Sequence, residues 1–489
     1  MSNAGITLPD DGLFLGATRA LDGSGAPSRL VMPAHHLTTH GVIVGMTGSG
    51  KTGLVMVTVE EALRAEVPVL VVDVKGDLPN LLLRFADFLP TTIAPWVELG
   101  PRDKGPGALE RVAEKAAAER RAGLGAWAIG EAHLADYVAR SAVRVITPGA
   151  DAGELLHVLS SLERRSNRWD TDVEGARAAL SAAISLILRL LGRDADAARS
   201  REHVLLSVLA ENRLSRGGSA DIASLLADIA DPPITAIGAL PVEDFLSKKA
   251  RRELAAALNS LLASPTFASW RQGATLDVGE WMRPVEANGR TKTPVTVVSV
   301  AHLDDAEREL VLGVVLEEIL TWVRSLPGSQ QLKALVVFDE VYGFLPPHPA
   351  NPPTKRPLVA LMKQARAFGV GVLIATQNPM DLDYRALSNA GVWALGRLQT
   401  DADRTRVLDG LVGSAGDEAA ALGATLKRLA PRWFLLRDVH DKRGTQFLQP
   451  RWAMSFMRGP MTRQEIRRAR GIASPVGIPQ PLPLSVSMK

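Results

Sequence analysis

The chain has 489 residues, 46% hydrophobic and 22% charged, with a formal net charge of +3. That composition supports a sizeable buried core and excludes a chain that is mostly disordered, while so small a positive excess does not by itself point to nucleic acid. The absence of cysteine excludes disulfides, thiolate zinc sites, iron–sulfur clusters and a cysteine nucleophile.

The opening residues have neither a basic start nor an apolar run, so they do not read as a secretory signal. No uncharged apolar stretch reaches the ~20 residues of a spanning helix. A soluble, cytoplasmic protein without a membrane partner is expected. Residues 1–40 read as a short lead-in with a few strand-like stretches. Residues 41–45 (GVIVG) form a short apolar run that predicts a buried strand. A glycine-rich turn and a segment of helical spacing follow, and then a second buried strand at 68–74 (PVLVVDV). Strand, glycine turn, helix and strand make a βαβ unit, which implies a parallel sheet.

The pattern loosens from Pro90 to Gly130 around a charged, Ala-rich helix, and a further short strand is predicted at Val143–Thr147. Between 151 and 290, leucine and alanine recur at helical spacing with no convincing strand run, which predicts an all-helical insertion. The α/β rhythm then resumes over 291–455, with strands predicted in TPVTVVSV, LKALVVFDE, VGVLIATQN, GVWALGRL and RWFLLRDV. Residues 456–489 read as a basic and then Pro-rich tail.

Gly45-Met46-Thr47-Gly48-Ser49-Gly50-Lys51-Thr52 matches G-x-x-x-x-G-K-[ST] in full, between a predicted strand and a predicted helix. Its glycines let backbone N–H groups converge on phosphate oxygens. Lys51 is expected on the β- and γ-phosphates of ATP and the Thr52 hydroxyl on Mg²⁺. Gly45, Thr47, Gly48, Ser49, Gly50 and Gly53 complete the candidate nucleotide cradle. An apolar run ends at Asp339-Glu340. Coupled to a phosphate loop, the first acid holds magnesium through water and the second polarises the attacking water. Alone, the pair would read more readily as a solvated strand end. A third apolar strand ends at Thr376-Gln377-Asn378, at the edge where open α/β sheets bind ligands. There Gln377 is placed to sense the γ-phosphate, or else to begin a turn before Pro379. Asp73, Lys75 and Asp77 follow the second strand, either supporting the metal or forming a surface turn.

Phosphoryl transfer also calls for a guanidinium, commonly from a neighbouring subunit, and Arg397, Arg404 and Arg406 are the candidates. Between Lys427 and Arg470, twelve Lys or Arg stand against three Asp or Glu, interleaved with Trp433, Phe447, Trp452 and Phe456. That stretch fits contact with nucleic-acid phosphates, a solvated basic face or an acidic partner. His35, His36 and His40 lack acids at ligand spacing and read as ordinary loop residues.

With these motifs the chain resembles the HerA–FtsK superfamily of hexameric DNA-pumping ATPases, and HerA most closely. The resemblance is carried by HGVIVGMTGSGKT, VLVVDVKGDLPNL, LVVFDEVYGFLPP, ATQNPMDLDYRALSNAG and GRLQTDADRTRVLDGL, over Leu37–Gly100 and Pro294–Leu411. It implies a RecA-like core with an additional strand between the phosphate-loop strand and the acid-pair strand. It implies ATP and Mg²⁺ as cofactors, a homo-oligomeric ring, usually a hexamer, and translocation of double-stranded DNA. A nuclease or other effector, as in DNA-end processing or anti-phage defence, is the implied partner. Transferred residue by residue, Asp339 supports the metal, Glu340 is the catalytic base and Gln377 the sensor. The resemblance implies that one arginine after the sensor strand, Arg397 as first candidate or Arg404 as second, reaches the next subunit's site. Family members carry a β-barrel ahead of this core, where residues 1–40 stand here. A nucleotide-dependent scaffold that activates an effector with little translocation is the alternative function.

Overall fold

The computed structural model describes residues 12–471 except 23, 25, 288, 380, 381, 388, 399 and 413–416, and leaves undescribed the side chains of 265, 266, 384, 385, 409–412 and 417–420. The Pro-rich part of the expected tail, 472–489, lies outside the described residues.

A twelve-stranded sheet organises the fold. Its first strands are β1 (Gly12–Ala20), β2 (Ser28–Pro33), β3 (Gly41–Val44), β4 (Val69–Asp73) and β5 (Ser141–Ile146). They are followed by β6 (Val285–Ala287), β7 (Arg290–Ser299), β8 (Ser329–Asp339) and β9 (Phe368–Thr376). The last are β10 (Val392–Leu395), β11 (Phe434–Asp438) and β12 (Gln446–Pro450). The centre, β5–β7–β4–β8–β9–β3–β10, is parallel throughout. Its strands are Val-, Leu- and Ile-rich runs, as expected where helices cover both faces. Alternate residues point to opposite sides. Val42, Val44, Leu70, Val72, Val336, Phe338, Val372 and Ile374 face one core. Ile43, Val69, Val71, Leu335, Val337, Leu373 and Ala375 face the other. Strand β9 lies between β3 and β8, which is the additional strand that the family resemblance implies.

Two features differ from the sequence reading. The lead-in supplies β1 and β2, which with β11 and β12 extend the sheet antiparallel beyond β10. β1 is read poorly from sequence because Gly16, Thr18 and Arg19 break its apolar run, and its partner β12 lies more than 400 residues away. The segment 151–290 is also not all helical: β6 and the first residue of β7 fall within it. Leu156–His157 pairs with Ala274–Thr275, and Ala236–Ile237 with Leu240–Pro241. Strands of two residues are too short to show a period.

Helix α1 (Lys51–Arg64) follows β3 and packs Leu54, Val55 and Val59 on the second core. The middle segment holds α2 (Val173–Leu190), α3 (Arg201–Leu214), α4 (Ile222–Ala230) and α5 (Lys248–Leu262). Their N-caps are Asp172, Ser200, Asp221 and Ser247, each accepting a backbone N–H of the first turn. Helix α6 (Asp305–Arg324) starts on an Asp304–Glu307 capping box and is buried all round from Val311 to Val323. It is clamped between the sheet and α2, where Arg168 makes a bidentate pair with Glu318. Among the described residues no helix is long and apolar enough to cross a membrane.

One buried ionic cluster fixes the β1 corner to α1. Arg451 is fully buried, with Nη1 donating to Glu60 Oε2 at 3.0 Å, Nη2 to Glu61 Oε1 at 2.9 Å and Nε to Phe14 O at 3.1 Å. The backbone N–H groups of Met454 and Ser455 donate to Glu60 as well. The network is internally satisfied, the condition under which buried charge is tolerated.

Candidate functional site

The site is assembled at the C-terminal edge of the parallel strands. Strand β3 ends at Val44, and the loop that follows is tied to both neighbours. Gly45 N–H donates to Thr376 O of β9 at 3.2 Å, and Met46 N–H donates to Arg397 O beyond β10 at 2.9 Å. Gly48 and Gly50 have φ of 76° and 96°, a region in which a side chain is strained. At Gly50 a Cβ would also come within 3.1 Å of Arg432 Cα. α1 then begins at Lys51, so its unpaired N–H groups and positive end face the loop. The Lys51 ammonium folds onto the loop carbonyls, 2.5 Å from Gly45 O and 3.4 Å from Met46 O. Burial, and secondarily the charge of Lys75, push its pKa down to about 8, while Glu340 and Asp339 oppose the shift. Thr52 and Gly53 are half-buried in the first turn of α1.

Facing the loop are the ends of β4 and β8. Asp73 Oδ2 accepts from Ser299 Oγ at 2.7 Å, and Oδ1 accepts from Gly76 N–H at 3.0 Å. Burial pushes its pKa up to about 6 against those bonds. Asp339 is 2% exposed, and its Oδ2 has no hydrogen-bond partner. Burial, and next the Asp73 carboxylate, push Asp339 up to about 7, with Lys75 opposing. A buried carboxylate oxygen without a donor, with the carboxylates of Asp73, Asp77 and Glu340 near enough to act on its charge, is oxygen-only chemistry that fits a hard divalent cation such as magnesium.

Glu340 leaves the strand with φ 68°, in the left-handed region unusual for glutamate. Its N–H and that of Val341 both donate to Ala375 O, at 3.1 and 3.0 Å. Three donors converge on its side chain. Thr376 Oγ1 and Gln377 N–H reach Oε1, each at 3.1 Å, and Lys75 Nζ reaches Oε2 at 2.5 Å. The Gln377 side chain turns the other way, its Oε1 accepting from Thr47 Oγ1 at 2.9 Å. Lys51, Lys75, Asp339, Glu340 and Gln377 are thus brought to one edge.

The arginines diverge. Arg397 is exposed beside its own phosphate loop. Arg404, on the helix Asp401–Val412, is 7% exposed, donates to Leu398 O at 3.1 Å and pairs with Asp401. Reaching a neighbouring subunit from there would require breaking this anchorage, so the structure argues against Arg404 as a finger. Arg406 is exposed on the same helix.

Part of the basic stretch is used within the fold, while Lys427, Arg428, Arg432, Lys442, Arg443, Arg463 and Arg468 are exposed. Arg451 is buried as described, Arg443 pairs with Asp441, Arg458 with Glu98 and Glu465, and Arg467 with Asp151. Arg432 lies 5.0 Å above the Trp452 ring, and Trp452 covers Gly123. These contacts occupy Arg451, Arg458 and Arg467 and leave the exposed basic residues on the surface. His36 pairs with Asp438 at 2.6 Å and its ring lies 4.6 Å from that of His440. No metal-holding group of three His, Cys, Asp or Glu is found among the described residues.

Three contributors were not singled out for these contacts by sequence: Thr376, whose hydroxyl reaches Glu340; Ser299, which saturates Asp73; and Arg432, whose N–H donates to Ser49 O at 2.9 Å. A threonine closing an apolar strand was the only visible signal among them.

Residues 18–127 match the family model described as helicase HerA, central domain. No curated protein matches the chain. Among solved structures, VirB4 of Thermoanaerobacter pseudethanolicus is similar at 15% identity and a TM-score of 0.48, covering 92% of this chain and 98% of its own. The plasmid coupling protein TrwB in complex with ADP and Mg²⁺ is similar at 12% identity and a TM-score of 0.48, covering 94% and 99%. The genome packaging NTPase B204 from Sulfolobus turreted icosahedral virus 2, in complex with AMPPCP, is similar at 17% identity and a TM-score of 0.23, covering 32% and 69%. The likeness to HerA-like P-loop ATPases that the sequence motifs carry is shown by the family match over residues 18–127.

Proposed function

We propose that the chain is a magnesium-dependent ATPase whose hydrolysis drives double-stranded DNA through a homo-oligomeric, hexameric ring. The observation that carries this reading is one continuous chain of contacts, from Thr47 in the phosphate loop through Gln377 to Glu340 and Lys75. The loop N–H groups and Lys51 bind the β- and γ-phosphates, with Lys51 exchanging carbonyl partners for phosphate oxygens. Thr52 and Asp339 would hold magnesium, which supplies charge neutralisation on the phosphate oxygens. Glu340 accepts a proton from the attacking water, and Gln377 reports occupancy of the γ-phosphate position to Glu340 through its own backbone. Arg397 is the candidate guanidinium for a neighbouring subunit's site.

The engagement of Arg451, Arg458 and Arg467 by acids of the same chain favours a second reading, a nucleotide-dependent scaffold that assembles and activates a nuclease or other effector. Steady-state ATP hydrolysis with and without linear double-stranded DNA separates the two. Stimulation of several-fold by DNA supports the motor, whereas robust hydrolysis indifferent to DNA supports the scaffold.

A further inference from the structure

We infer that Lys75 is the positioning residue of Glu340: its ammonium aims the carboxylate of the candidate base, and it acts on hydrolysis through that carboxylate rather than by binding nucleotide. This rests on the ATPase reading above and adds a residue and a role to it.

The geometry requires such a residue. Glu340 stands one position past the end of β8, on a backbone turned to φ 68°, so the strand itself does not fix its side chain. Thr376 and the Gln377 N–H hold only Oε1, which leaves the carboxylate free to pivot about that oxygen. The Lys75 ammonium at 2.5 Å from Oε2 removes the pivot. Bonds of this charged kind are about twice as strong as neutral ones and shorter.

Lys75 is itself well placed to be rigid. Two residues before it, Asp73 closes β4 in register with Asp339. On its other side, Gly76 N–H is bonded to Asp73, and Gly76 O accepts from Met461 N–H at 2.9 Å. The lysine side chain is 29% exposed, so its contact with an 11%-exposed carboxylate is not a solvent-screened surface pair. Positional error of about 1 Å at a reacting group costs roughly 100-fold in rate. That sets the scale of the effect.

The test is a cycle. Lys75→Met and Glu340→Gln, alone and together, are measured for single-turnover ATP hydrolysis and for binding of a fluorescent ATP analogue. Lys75→Met is expected to slow hydrolysis by at least tenfold, leave analogue affinity within about threefold, and add nothing once Glu340 is Gln. Lys75→Arg, which restores a cation on the carboxylate, is expected to recover part of the rate. Thermal melting of Lys75→Met checks that the variant is folded, and Lys75→Gln serves if it is not. An undiminished rate, a loss of analogue affinity, or a further fall in the Glu340→Gln background would each overturn the assignment. The last two would instead put Lys75 on the phosphates. Absence of hydrolysis by the wild type would sink the ATPase reading itself, and is told apart because it appears before any substitution is made.

Discussion

Asp73 and Asp339 stand in register at the ends of adjacent parallel strands, yet the two carboxylates are in opposite chemical states of satisfaction. Both oxygens of Asp73 are engaged, by Ser299 and Gly76, whereas Asp339 Oδ2 is buried without a donor. A protein tolerates the first as structure, but the second calls for a ligand. Asp73→Ala is therefore expected to cost about 1–3 kcal/mol of stability, because it leaves the Ser299 hydroxyl and the Gly76 N–H unpaired. Asp339→Asn is expected to melt no lower than wild type but to need far more magnesium for hydrolysis. Urea titrations and a magnesium dependence of the ATPase rate check the two halves separately.

Gln377 links two elements that sequence places 330 residues apart, with its side chain on Thr47 and its N–H on Glu340. Gln377→Ala removes the first contact and keeps the second. Hydrolysis is expected to fall about tenfold to 100-fold, the range for a group that orients the reactants, with nucleotide affinity changed less than about threefold. A kcat and KM determination is sufficient.

Arg451 sits between Glu60 and Glu61 with no exposure to solvent. Arg451→Ala would strand two buried carboxylates, which costs about 3–5 kcal/mol when one partner of a buried pair is removed. The expected outcome is a large fall in the denaturation midpoint in urea. Because the cluster joins β1 to α1, amide exchange should rise first at Leu13–Leu15.

His40 supplies a pH dependence. It is 1% exposed, its Nδ1 accepts from Val372 N–H at 3.2 Å, and burial pushes its pKa down from 6.5 to about 4. The unfolded chain therefore takes up a proton at this residue between pH 6.5 and about 4, and the folded protein does not. Its contribution is complete above pH 6.5 and is lost as pH falls toward 4, with a ceiling of roughly 3 kcal/mol at about 1.4 kcal/mol per pH unit. His40→Asn keeps a side-chain acceptor and removes the titrating group at this position, where φ is 66° and ψ 158°. It is expected to flatten the fall in melting temperature between pH 6.5 and 4 relative to wild type.

The phosphate loop and the two strands ending in Asp339-Glu340 and Thr376-Gln377 were legible because each is a local pattern. An apolar run gives the strand, and its last residues fall at the ligand-bearing edge. The contact of Lys75 with Glu340 was not legible, since it depends on β4 being the neighbour of β8, a fact of strand order that no local window contains. The same holds for β1 and β12, which pair although more than 400 residues lie between them. The internal contacts of the basic stretch are illegible for a related reason. A count of charges does not record that Arg451, Arg458 and Arg467 already have acids waiting in distant elements.

Glu340 is proposed as the base of an ATP-hydrolysing site built on Lys51. The most direct measurement is ATP hydrolysis by wild type and Glu340→Gln, alongside binding of ATP to both. Hydrolysis by wild type, a fall of about 100-fold or more in Glu340→Gln, and ATP binding retained by the variant are expected. Equal hydrolysis by the two proteins would contradict the proposal.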